Sequence, residues 1–110
     1  VLVGTIDRTI AVIPAGEQWG DRSLRPAFED FLGAGAIISY LEGSLSPEAR
    51  SAVAAYKAMR ESIKDLMKQC GSGKELMQRG FERDVDLASE LDVSDCVPTL
   101  VDGAYINYVN

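Results

Sequence analysis

The chemistry open to this chain is carboxylate chemistry. Its 110 residues hold 17 Asp and Glu and no His. That absence removes the Ser-His-Asp triad, the HExxH metalloproteases and phosphohistidine enzymes together. Three acids stand where apolar residues are expected. Glu29 and Asp30 head apolar stripes, Glu29 over Gly33, Ala36 and Tyr40, and Asp30 in line with Ala34, Ile37 and Leu41. Near a helix N-terminus both would be favoured by the macrodipole, with Glu29 also within reach of Arg25 one turn earlier. Alternatively the two offer oxygen ligands to a hard cation such as magnesium, which takes one or two carboxylates besides waters and phosphate oxygens. Asp84 is the third case. On a wheel of about 3.6 residues per turn it falls among Met77, Gly80, Phe81, Ala88 and Leu91, while Glu82, Asp86 and Glu90 fall opposite. A carboxylate on a core face needs a cation, a metal or hydrogen-bond donors. A structural ion pair and a functional site both satisfy that need. Gly71-Ser72-Gly73-Lys74 looks like a phosphate loop, but Lys68 stands where its first Gly should be and Glu75 replaces Ser or Thr. A capping box from Ser72 to Glu75 accounts better for those residues.

These acids need elements to hold them. Residues 9–15 read as a strand, because Ile10, Ala11, Val12 and Ile13 are apolar without alternation, as when both sheet faces are covered. The strand opens through Pro14-Ala15-Gly16-Glu17 into a loop, the place where α/β sheets bind ligands. A helix is predicted over 24–41, with Ser23 as N-cap and Pro26 in its first turn. Its Gly33 and Gly35 permit close approach of a helix or of a ligand. A second helix starts at Ser46-Pro47-Glu48, carries an apolar stripe to Cys70 and ends at Gly71. A third runs over 72–91, and a second strand covers 96–101, where Pro98 favours a strand start or an edge. The fold class is therefore α/β and helix-rich, with long helices on a small sheet that is not necessarily complete.

The bulk composition narrows the partners. A net charge of −6 argues against nucleic acid. A small phosphorylated ligand stays open, since a metal ion inverts the local field. Cys70 and Cys96 are expected as unbonded thiols in a cytoplasmic protein. No apolar run approaches the ~20 residues of a membrane span. The opening Val1-Leu2-Val3 reads as a start inside a strand. Residues 1–110 are thus expected as a single domain, the C-terminal half of a larger two-part protein, with a second copy of the chain as an alternative partner.

The series Ala11-Val12-Ile13-Pro14-Ala15-Gly16-Glu17, followed by Leu24-Arg25-Pro26-Ala27-Phe28-Glu29-Asp30-Phe31-Leu32-Gly33-Ala34-Gly35-Ala36-Ile37, resembles the 2-phosphosulfolactate phosphatases. Gly73-Lys74-Glu75-Leu76, Gly80-Phe81, Asp84-Val85 and Val97-Pro98 are similar to the same family's later pattern. The resemblance implies a magnesium-dependent hydrolysis of a phosphate monoester, 2-phosphosulfolactate to sulfolactate, a step of coenzyme M biosynthesis. By position it implies Glu29 and Asp30 as metal ligands and Asp84 as a catalytic carboxylate, a further ligand or a group that orients water. Gly16, Glu17, Arg25 and Gly35 would lie along the substrate, with backbone amides near Gly16 or Gly35 receiving phosphate oxygens. Members of the family are about twice this length, so an interaction module that associates with a further half is the competing expectation.

Overall fold

The computed structural model describes residues 8–108. Among these, five α-helices and two small antiparallel sheets appear, an α/β arrangement dominated by helix. Residues 8–16 run without turn or bend and pair with nothing among the described residues. The strand expected over 9–15 is therefore not formed, because a strand exists only with a partner's ladder. The chain then makes a short hairpin, β1 (Glu17–Gln18) on β2 (Leu24–Arg25), with Glu17 opposite Arg25.

The helix expected from residue 24 begins only at residue 28, as α1 (Phe28–Ile38). Pro26 explains the late start, since the residue before a proline is driven out of the helical region into extended backbone. Arg25 is thereby committed to β2. The second helix begins as expected. Ser46 Oγ accepts the Ala49 amide at 3.2 Å and Pro47 occupies the first position of α2 (Pro47–Met59). It does not run through to Cys70, however. A 3-10 turn at Arg60–Ser62 separates it from α3 (Ile63–Gln69).

The third helix is also divided, into α4 (Gly71–Gln78) and α5 (Glu82–Ala88). Gly80, at φ +86°, ends α4. The Phe81 amide reaches back to Leu76 O at 2.9 Å and the Gly80 amide to Met77 O at 3.0 Å, the Schellman pattern that only a left-handed residue allows. Cys70, in extended backbone, caps α4 from its side chain, Sγ accepting the Gly73 amide at 3.4 Å. The last element is a hairpin of β3 (Pro98–Val101) and β4 (Ala104–Asn107), turned by Asp102 and Gly103, both at positive φ. Pro98 opens β3, as expected of a residue that cannot donate to a ladder.

Leu32, Tyr56, Ile63, Met67 and Val85 form the core, with Phe28, Met59, Leu76 and Met77 packed around them. Helices α1 and α2 share the most extensive contact between elements. A Cβ on Gly35 would collide with the Ala52 carbonyl and lie 3.0 Å from Tyr56 Cβ. No helix of the described residues is long and apolar enough to cross a membrane.

Candidate active site at the Gly16 turn

Gly16 sits at φ +76°, and a Cβ there would meet Arg25 O and Leu24 Cδ1 at 2.9 Å. Both the backbone angle and the space therefore require glycine. Its amide donates to Asp30 Oδ2 at 2.7 Å, a charge-assisted bond that ties the turn to the first turn of α1.

Arg25 organises the other side of the turn. Its Nε lies 3.3 Å from Glu17 Oε2, its cross-strand neighbour. Its two terminal nitrogens grip the Glu75 carboxylate bidentately, both at 2.9 Å. Its guanidinium also lies over the Trp19 ring at 4.5 Å. One side chain thus joins the hairpin to α4. The Glu75 hydrogen bond raises the guanidinium's pKa, and Arg25 in turn holds the Glu75 carboxyl below its ordinary range. The loop between β1 and β2 is closed locally, with the Asp21 carboxylate accepting the Ser23 hydroxyl at 2.6 Å and its amide at 2.9 Å.

Four of the residues singled out from the sequence therefore converge: Gly16, Glu17, Arg25 and Asp30. Three do not. Gly35 lies inside α1 and its missing side chain is filled by Ala52, so its role is helix packing and not ligand contact. Glu29 does not pair with Arg25. Its Oε2 is buried without a hydrogen-bond partner, and the residue lines a cavity of about 80 Å³ with Leu32, Tyr56, Ile63 and Met67. Asp84 is exposed in the first turn of α5. The core-facing position on that helix belongs to Val85, which is 3% exposed. The break at Gly80 rotates α5 relative to a continuous helix, so the wheel drawn through 72–91 assigned the wrong face. Asp86, placed by that wheel in solvent, is half-buried, with Oδ1 at 3.2 Å from Lys64 and 3.0 Å from Lys68.

Magnesium asks for about six oxygens in near-octahedral array. The walls around Glu29 are almost wholly apolar, and Asp30 faces the Gly16 turn instead. Glu29 and Asp30 therefore do not fit one ion as a pair. Among the described residues no three acidic, Cys or His side chains converge as a metal site.

Sequence reasoning missed Glu75 and Trp19. Glu75 reads as the far end of a capping box, yet its carboxylate holds Arg25 and Cys70 does the capping. Nothing local marks a contact across 50 positions. Trp19 carried a signal, as the chain's one Trp, set in the loop before Arg25.

The model of the 2-phosphosulpholactate phosphatase family matches residues 4–103. The chain belongs to that family. A curated relative from Thermotoga petrophila, named a probable 2-phosphosulfolactate phosphatase, is 35% identical over 83 residues, covering 74% of this chain and 37% of the relative. The 2-phosphosulfolactate phosphatase of Methanothermobacter thermautotrophicus is 30% identical over 110 residues, covering 93% of this chain and 48% of its own length. The chain thus spans between about a third and a half of the relatives it matches. No solved structure matches it.

Proposed function

We propose that this chain is the C-terminal half of a magnesium-dependent phosphatase that hydrolyses 2-phosphosulfolactate to sulfolactate, the reaction type of coenzyme M biosynthesis. Family membership supports the reaction class. The observation that supports the location is the Asp30–Gly16 contact at 2.7 Å, which brings family positions from two segments onto one turn. Around that turn one guanidinium, Arg25, faces the carboxylates of Glu17 and Glu75, with Asp30 on the Gly16 amide. A phosphate dianion would meet an excess of negative charge there, so its binding calls for a cation. Asp30 is the donor this half would offer magnesium, and other ligands would come from the remainder of a family-length protein. When bound, the ion would polarise the phosphoryl oxygens and offset charge developing on them. Arg25 acts as a positioning residue, because its bonds to Glu17 and Glu75 hold the turn. The Gly16 amide is held by Asp30. Asp84 is an exposed acid where the resemblance implies a catalytic carboxylate. The small phosphorylated substrate would be met in the cytoplasm; the two cysteines, both unbonded, are consistent with a reducing compartment.

Phosphate release from 2-phosphosulfolactate tests the proposal, with this chain co-expressed with the part of the Methanothermobacter relative that it does not match. Turnover should require magnesium and fall about 100-fold in Asp30→Asn, as when a reacting group is misplaced. Turnover indifferent both to chelator and to that substitution sinks the reading. A non-catalytic interaction module is the second reading, favoured by the open apolar surface of residues 10–13. Binding without any phosphate release from any monoester would establish it.

A further inference from the structure

Residues 9–13 carry an inference that rests on family membership and not on the reaction. The run Ile10-Ala11-Val12-Ile13 has the unbroken apolar pattern of a strand covered on both faces. In the structure it makes no turn or bend, and its backbone groups bond to nothing among the described residues. Ile10 is 60% and Ile13 82% exposed. Beside the run lies a groove of about 790 Å³, floored by Phe31, Ala34 and Ile38 of α1. The helical layer that would cover one face of a sheet is therefore present, and among the described residues no neighbouring strand is. An unpaired apolar edge of this kind is the template for strand addition, in which backbone hydrogen bonds supply affinity and alternate side chains fill pockets.

The geometry points to one occupant: a β-strand from the polypeptide that corresponds to the part of the relatives this chain does not match. Two observations favour it over a second copy. The family match includes residues 10–13, so the run belongs to the shared fold. The chain also covers only 37% and 48% of those relatives' lengths, which leaves more than half of each to supply the strand. The groove's rim carries Arg8, Glu42 and Glu48, and its floor is apolar, so the incoming strand should be uncharged where it crosses α1.

The test is amide hydrogen exchange at residues 10–13, in the chain alone and co-expressed with the unmatched part of the Methanothermobacter relative. The amides should exchange freely in the chain alone. In the captured complex alternate amides should slow about 100-fold. Ala11→Pro and Val12→Pro remove donors that point to opposite edges, and at least one should weaken capture about tenfold. Both leave the helices untouched, so an unchanged helical signal separates lost pairing from lost folding. Protection in the chain alone would overturn the proposal, by showing pairing with residues 1–7 or, where it depends on concentration, with a second copy. Absence of capture, or capture that neither proline weakens, would also overturn it. Capture and protection without phosphatase activity would leave this inference standing and remove the proposed function.

Discussion

At its first turn α1 is held by polar groups, Asp30 on the Gly16 amide at 2.7 Å, whereas its second half is held by shape, where the absent Gly35 side chain admits Ala52. The polar end depends on partner identity, on an acid meeting a particular amide. The packed end depends only on the absence of a Cβ. The two should answer substitution differently, and the largest effect belongs to the packed end. Gly35→Ala drives a methyl into the Ala52 carbonyl of α2, and a backbone atom cannot step aside. Unfolding in urea should show a loss of about 3 kcal/mol, the upper range for overpacking. Gly33→Ala is the control. Nothing lies within 4 Å of its Cβ position, so the helix should gain up to about 1 kcal/mol from alanine's better propensity. Equal losses at the two glycines would show that propensity, and not the close contact, sets the result.

At the polar end the two neighbouring acids should part company. Asp30→Ala removes the acceptor from the Gly16 amide and should cost about 2 kcal/mol. Glu29→Met takes away an oxygen that is buried without a partner and leaves a side chain suited to apolar walls. It should be neutral or stabilise by about 1 kcal/mol. A loss at Glu29 as large as that at Asp30 would mean that its carboxylate is satisfied in solution, for instance by water in the 80 Å³ cavity.

The same contrast explains what could be read without a structure. Ser46-Pro47 marked the start of α2 because a cap and its helix are a few residues apart, and the information is local. The acids of α1 were legible as misplaced, but not their surroundings. The turn that receives Asp30 lies 14 positions away, and the arginine that organises it is taken by Glu75, 50 positions on. Glycines misled in both directions. Gly71 reads as a helix end yet opens α4, whereas Gly80 reads as part of a buried face yet ends that helix. Residues 9–15 show a strand's composition, but composition cannot provide the second strand.

Acid should probe the ion pairs that join α4 and α5 to the rest. The Arg25 hydrogen bonds depress the Glu75 carboxyl below its ordinary 4.5, and Lys68, then Lys64, depress Asp86 below 3.8. A depressed carboxylate contributes stability that is present above its unfolded pKa and lost as pH falls through the folded value. The melting temperature should thus hold down to about pH 5 and decline below pH 4.5, across both carboxylates' range. Arg25→Lys keeps the charge and loses the fork. It should flatten that acid limb while leaving the limb due to Asp86, and an unaltered profile would remove Glu75 from the account.

The smallest expected effect separates the two acids of α5 whose surroundings the break at Gly80 exchanged. Asp84 is exposed, and its amide closes the first turn on Phe81 O at 3.1 Å whatever its side chain. Asp84→Asn should therefore change stability by no more than about 0.5 kcal/mol. Asp86→Asn should cost visibly more, because Lys64 and Lys68 both lose the partner they hold at 3.2 and 3.0 Å. Were α4 and α5 one continuous helix in solution, the order would reverse, since Asp84 would then face the core and Asp86 water. The pair of variants thus reads the Gly80 break directly. It also isolates function from folding at Asp84. In the complemented complex, a fall in turnover with an unchanged melting temperature would mark that exposed carboxylate as part of the proposed reaction. Unchanged turnover would leave the Gly16 turn and Asp30 as what this chain contributes to the proposed reaction.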